Sequence, residues 1–233
     1  MREAKWLTCE DPSKMLYFLG SRADTRRLLL LSSACCRGVW DLLTARRARE
    51  AVEVAERLAD RQASSEDARR VGRTARTAAN AMWRYNWRNA AVAQGSVAKK
   101  RMAIQSATVA ASLLLHEPYD VSTVSLGCDR AAQAARVRNG SKLSDERAAQ
   151  AKLVRDIFGN PFRPATFDPR WRNSDVVDVA RGIYEDKAFE RMPILADALM
   201  DAGCEDELII GHCRGDGPHV RGCWVVDLVL GKE

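Results

Sequence analysis

The sequence lacks the short motifs that mark most enzyme active sites. It contains no G-x-S-x-G, no H-E-x-x-H and no C-x-x-C, and only three histidines occur in 233 residues. These absences argue against nucleophile-elbow hydrolases, zincin proteases and thioredoxin-type redox proteins. We therefore expect a non-catalytic protein. One catalytic alternative stays open, a cysteine-histidine dyad formed by Cys36 or Cys223 with His219.

Long apolar runs are also missing. The longest, residues 28–36, contains two serines and is far shorter than the roughly 20 residues of a membrane-spanning helix. The first residues are amphipathic and contain acids, unlike a signal or transit peptide. Seven cysteines are an odd number without the regular spacing of a disulfide framework, which favours reduced thiols. We expect a soluble, cytoplasmic protein that binds no membrane.

Period-two alternation, which is typical of half-buried strands, is scarce, and helical spacing dominates. A helix over residues 24–44 is predicted because apolar side chains recur there at intervals of three and four. They are Leu28, Leu31, Cys35, Val39 and Leu42. Ser64 and Asp67 resemble a capping box, which predicts that a second long helix begins there and runs to residue 93. The predicted fold class is all-α, an irregular multi-helix bundle.

The chain is predicted to form a single composite helical domain over residues 1–233. Its parts are N-terminal helices (1–60), a basic helical middle (61–140) and C-terminal helices (141–233). Residues 159–173 combine three prolines with three aromatic residues and show no period. We expect an irregular crossing segment there, packed through Phe162, Phe167 and Trp171.

The basic middle carries a candidate nucleic-acid face. Residues 61–101 hold ten Lys and Arg against two acids, a balance of +8 that exceeds the +6 of the whole chain. Basic side chains interleaved with tryptophan suit a phosphate backbone with stackable bases. The candidate residues are Arg69, Arg73, Arg76, Trp83, Arg84 and Trp87. A structural interpretation stays open, in which the tryptophans are buried and the arginines pair with Glu50, Glu53, Glu56 and Asp60.

The loop RGDGPHVRGCW near the C-terminus gathers side chains able to hold a metal or an anion. His212, His219 and Cys223 offer three zinc ligands, with Cys204 or Cys213 as a fourth. Alternatively, Arg214, His219 and Arg221 bind an anion or a partner together with the loop's glycine amides. A third interpretation is structural, with glycine and proline forming the turn and Cys223 filling the core. The spacing matches no standard zinc finger, so we expect no cofactor. If one binds, these ligands favour zinc.

The two ends of the chain resemble a family of bacterial proteins that share sequence blocks around a variable middle. The blocks read WLTCEDP and CCRGVWDLL near the start, and IFGNPFRP, MPILADAL and GPHVRGCWVVDLVLGKE near the end. They cover about the first 60 and the last 80 residues. The resemblance implies no activity, and it does not extend to the basic middle.

The function we expect is macromolecular recognition, in a protein-interaction or adaptor role, because helical surface is plentiful and a catalytic constellation is absent. A protein partner is therefore expected. The alternative is binding of nucleic acid through residues 61–101. The third possibility is a metal or anion site at residues 212–223.

Overall fold

The computed structural model describes residues 1–88, 95–117 and 119–232, excepting the side chains of Trp87 and Arg88. Over these ranges the protein is all-α and contains no β-strand, which confirms the predicted fold class. The helices are α1 (Glu3–Leu7), α2 (Pro12–Leu19), α3 (Thr25–Arg37), α4 (Arg46–Ala59), α5 (Ser65–Arg88), α6 (Gly95–Leu113), α7 (Val121–Asn139), α8 (Leu143–Phe158), α9 (Ser174–Asp186), α10 (Met192–Asp201), α11 (Glu207–Arg214) and α12 (Trp224–Leu230). None of the helices described combines the length and apolarity needed to cross a membrane.

The helix predicted over residues 24–44 is shorter than expected. α3 ends at Arg37 with Gly38 as its C-cap, and Trp40–Leu42 forms a separate 3-10 turn. At this break, Arg138 donates hydrogen bonds to the Gly38 carbonyl oxygen at 2.8 Å and to the Asp41 carboxylate at 2.7 Å. The predicted length is therefore wrong. The predicted core face is confirmed, because all five of its apolar side chains are buried.

The chain divides into two compact units, the first made of Met1 and residues 8–151. In this unit α6 packs against α5 and α7, and α4 packs against α3 and α5. Ser64 caps α5 as predicted, since its hydroxyl oxygen accepts from the Asp67 backbone N–H at 3.0 Å. α5 and α6 run antiparallel, with Asn86 donating to the Gln105 side chain at 3.0 Å. The turn that follows α6 approaches α5 so closely at Gly72 that a Cβ there would lie 2.7 Å from the Leu115 carbonyl oxygen.

The second unit comprises residues 2–7 and 152–233. Its core is built from α9–α12, with Leu195, Leu199 and Ile209 among its fully buried side chains. The segment predicted to be irregular, 159–173, contains only the short 3-10 turn Pro169–Trp171. Phe167 and Trp171 pack against this core. Phe162 is 37% exposed, and its predicted packing role stays a prediction. The single composite domain and the crossing role of this segment stay predictions.

Candidate functional site

The predicted basic side chains of α5 share one exposed face. At about 100° per residue, Arg69, Arg73, Arg76, Trp83 and Arg84 fall within about 100° of one another, and all five are exposed. We call these five residues the basic face. The opposite side of α5 buries the small residues that pack within the first unit, Ala68, Val71, Ala75 and Ala79. The side chain of Trp87 lies outside the described part of the chain.

Acidic residues are absent from the stretch of sequence that contains the basic face. From residue 68 to residue 116 there is no Asp or Glu, against nine Lys and Arg. Within the described ranges, no carboxylate lies at ion-pair distance from its four guanidinium groups. Glu56, which the structural interpretation assigned to these arginines, instead pairs with Arg37 at 2.8 Å. Asp60, assigned in the same way, lies 3.5 Å from Arg26. The positive charge of the face is therefore not neutralised by these two acids.

Aromatic side chains are exposed at the end of α5. Trp83 is 53% exposed and Tyr85 is 56% exposed, although a tryptophan in a folded protein usually buries most of its surface. The Arg101 guanidinium lies over the Tyr85 ring, 5.5 Å from its centroid. The structural interpretation requires Trp83 to be buried, and its 53% exposure does not support that.

A second candidate site lies in the second unit, where side chains from three segments meet. Asp156 belongs to α8, His212 to α11, and His219 and Cys223 to the loop before α12. Their ligand atoms all lie within 4.8 Å of one another. We call these four residues the polar cluster. Asp156 and Cys223 are buried, the His219 side chain is only 7% exposed, and that of His212 is 19% exposed.

Asp156 is the acceptor that joins the polar cluster together. Its Oδ1 atom lies 2.8 Å from His219 Nδ1 and 3.2 Å from His212 Nε2, and its Oδ2 atom accepts from the Val220 backbone N–H at 3.0 Å. Burial alone would raise the pKa of Asp156, but the hydrogen bonds from the two histidines hold that pKa below its ordinary value. The cluster is thus organised around a buried carboxylate.

Trp224 fixes the position of the proton on His212. Its indole Nε1–H donates to His212 Nδ1 at 3.1 Å, and because an indole nitrogen can only donate, Nδ1 must be the acceptor. The hydrogen of the neutral His212 ring is therefore on Nε2, where it faces Asp156 and, at 3.1 Å, Cys223 Sγ. His212 cannot take a proton from the Cys223 thiol in this arrangement. His212 and Cys223 therefore do not resemble an activated cysteine-histidine dyad, and a dyad of Cys36 or Cys223 with His219 stays a prediction.

Other properties of the cluster also favour a neutral, unreactive thiol. Burial raises the pKa of Cys223 well above its ordinary value, and the charge of Asp156 adds to this shift. Burial would lower the pKa of His219, but the Asp156 carboxylate outweighs it and raises that pKa, assisted by the Gly215 carbonyl. Nε2 of His219 is buried and makes no hydrogen bond of standard geometry with any described residue, so the Gly215 carbonyl acts on the ring from a longer distance.

The structure brings together three of the four predicted zinc ligands, His212, His219 and Cys223. Cys204 is buried elsewhere in the second unit and is not part of the cluster. Asp156 takes the fourth position, and sequence reasoning missed it. Asp156 is 63 residues from His219, so no spacing rule connects them. The available signal was an acid inside the apolar run that ends α8, where Val154 and Ile157 are fully buried.

The residues predicted to bind an anion contact three different groups. Arg214 pairs with Asp197 at 2.7 Å, the Arg221 guanidinium lies 4.6 Å from the centre of the Tyr184 ring, and His219 contacts Asp156. These contacts occupy the side chains that an anion would use. An anion site formed by Arg214, His219 and Arg221 stays a prediction.

Comparisons with family models, with curated proteins and with solved structures found no match for this chain. The resemblance of its two ends to a bacterial family therefore stays a prediction.

Proposed function

We propose that the protein binds single-stranded nucleic acid through the basic face of α5. The observation that carries this proposal is the half-exposed Trp83 on the same helical face as four exposed arginines that form no ion pair with any described residue. Guanidinium groups bind phosphate oxygens, and an exposed indole stacks on an unpaired base.

The spacing of the basic face suits an extended strand. From Arg69 to Arg84, fifteen residues along α5, the helix rises by about 22 Å. A strand that follows this line meets successive guanidinium groups, and the Trp83 indole lies near one end of the line. We expect single strands to be preferred over duplex, because bases stacked within a duplex do not offer a face to the indole.

Fluorescently labelled single-stranded oligonucleotides, titrated with the full chain at several salt concentrations, test the proposal. Each phosphate contact contributes about −0.7 to the slope of log K against log salt for single strands. The Arg73→Ala and Arg76→Ala double variant should therefore make the slope shallower by about 1.4. The Trp83→Ala variant should raise the Kd roughly 5- to 150-fold, the equivalent of one lost stacking contact, and should leave the slope unchanged.

A matched control variant removes two positive charges from outside the basic face. Lys152→Ala with Arg181→Ala deletes two exposed basic side chains of the second unit and should leave the salt slope within error of the parent. A parent protein that binds no oligonucleotide at low ionic strength contradicts the proposal. Equal slope changes in the control and in the Arg73 and Arg76 variant would show that net charge, and not the basic face, governs binding.

A protein partner is the second candidate, favoured by two further exposed apolar side chains in α6. Val97 is 53% exposed and Met102 is 56% exposed, and single-stranded nucleic acid makes no particular use of an aliphatic side chain. Poly-L-glutamate serves as the probe for an acidic protein surface. If it binds as tightly as an oligonucleotide of equal charge and Trp83→Ala has no effect, the acidic protein partner replaces nucleic acid as the preferred interpretation.

A further inference from the structure

The polar cluster has the ligand composition of a structural zinc site. Two imidazoles, one thiolate and one carboxylate are all established zinc ligands, and four protein ligands with no open position are typical of structural sites. Nitrogen and sulfur ligands argue against calcium or magnesium, which prefer oxygen. Three of the four side chains are at least nine-tenths buried.

The distances within the cluster suit an ion after a small expansion. Tetrahedral zinc with bonds of about 2.0–2.3 Å places its ligand atoms roughly 3.3–3.8 Å apart. The hydrogen-bonded pairs are closer than this, at 2.8 Å for His219 with Asp156, 3.1 Å for His212 with Cys223 and 3.2 Å for His212 with Asp156. Widening these three pairs by about 0.1–0.5 Å makes room for the ion, and all four ligand atoms already lie within 4.8 Å of one another.

The hydrogen bond from Trp224 opposes this binding mode. A neutral imidazole that binds a metal through Nε2 must carry its hydrogen on Nδ1. In His212 that hydrogen would point at the Trp224 Nε1–H, 3.1 Å away, so that two donors would face each other. Filling the site through His212 Nε2 therefore requires the indole to give up this hydrogen bond.

We propose that Asp156, His212, His219 and Cys223 form a buried binding site for a zinc-type divalent ion, and that filling the site breaks the Trp224–His212 hydrogen bond. The Val220 backbone N–H donates a hydrogen bond to Asp156 Oδ2, so Oδ1 is the oxygen that faces the ion. The Cys223 thiol loses its proton to solvent on binding, so at least one proton is released per ion. The ion joins α8, α11 and the loop before α12, and so stabilises the second unit.

Binding of Co²⁺ and Zn²⁺ to chelator-treated full-length protein tests the site. Co²⁺ should produce a thiolate-to-cobalt charge-transfer band together with the visible bands of a tetrahedral ion. Zn²⁺ should displace it at one ion per chain, change the tryptophan emission and raise the melting temperature. The Trp224→Phe variant should bind Zn²⁺ about tenfold more tightly than the parent, because no opposing hydrogen bond has to be broken.

Cys204 provides a matched control, since its thiol is also buried in the second unit but lies outside the polar cluster. Cys223→Ser should abolish the charge-transfer band, whereas Cys204→Ser should retain it with an unchanged Zn²⁺ affinity. If Cys223→Ser fails to fold, the band in the parent protein and the affinity of Trp224→Phe still decide the question.

Three results would overturn the inference. The first is no stoichiometric Zn²⁺ or Co²⁺ binding by either the parent or Trp224→Phe. The second is loss of the band in Cys204→Ser, which would place the ion on other ligands. The third is Zn²⁺ binding by Trp224→Phe that is no tighter than in the parent, which would remove the coupling to the indole. None of these results bears on oligonucleotide binding by α5.

Discussion

The basic face exposes its charged groups to solvent, whereas the polar cluster buries its charged group and surrounds it with hydrogen-bond donors. In the basic face, four arginines of one helix are exposed and meet no carboxylate in the described ranges. In the polar cluster, a buried carboxylate is met by two imidazoles and a backbone N–H. A buried charge must be compensated inside the fold, whereas an exposed charge can remain available for a ligand. The contrast predicts that substitutions in the cluster affect stability and that substitutions in the face affect binding.

The largest effect is expected at Asp156. Asp156→Ala should lower the free energy of unfolding of chelator-treated protein by about 3–5 kcal/mol, because buried donors on both histidines and on Val220 lose their acceptor. Urea unfolding followed by circular dichroism measures the change. Asp178→Ala removes an exposed carboxylate that pairs with Arg181 and should cost less than about 1 kcal/mol. Equal costs at the two positions would show that Asp156 does not organise the cluster.

A loss of about 2–5 kcal/mol is expected for Leu31→Ala in the first unit. Leu31 is fully buried on the core face of α3, so the substitution removes apolar burial and leaves a cavity. Arg27→Ala is the control on the same helix, because it retains the backbone N–H that Asp24 caps and loses only a partly exposed ion pair. A Leu31→Ala variant as stable as the parent would mean that this face is not part of the core.

Two glycine substitutions should change stability in opposite directions. Gly72→Ala places a Cβ 2.7 Å from the Leu115 carbonyl oxygen, and forcing α5 away from the turn that follows α6 should cost about 1–3 kcal/mol. Gly182 lies inside α9 with nothing within 4 Å of an added Cβ. Gly182→Ala should therefore stabilise the protein by about 0.4–1 kcal/mol through helix propensity. Thermal unfolding of both variants measures whether each substitution raises or lowers stability. A tolerated Gly72→Ala would mean that α5 and the turn after α6 are less closely packed.

The smallest effect on stability is expected for the Arg73→Ala and Arg76→Ala double variant. Both side chains are exposed, and neither has an ion-pair partner in the described part of the chain. The free energy of unfolding should therefore stay within about 0.5 kcal/mol of the parent for each substitution. Chemical denaturation beside the oligonucleotide titration measures it. A larger loss would indicate that these arginines stabilise the fold, as the structural interpretation holds.

Local sequence signals predicted the features that depend on neighbours along the chain. The spacing of Leu28, Leu31 and Cys35 placed one face of α3 in the core, and Ser64 marked the start of α5. The break after Arg37 was missed, because its stabilising partner, Arg138, is a hundred residues from Gly38. The residues of the loop before α12 were recognised as a group, but the acid that organises them was not.

The sequence by itself determined that this chain forms helices, since periodicity and caps act within a few residues and need no distant partner. It also determined where the chemistry is concentrated, in the arginines of α5 and in the histidines and cysteines near the C-terminus. Only the tertiary structure decided that Trp83 is exposed and that Asp156, rather than Cys204, meets His212, His219 and Cys223. Exposure and convergence depend on which distant segments pack together, and packing depends on shape and burial summed over a whole unit.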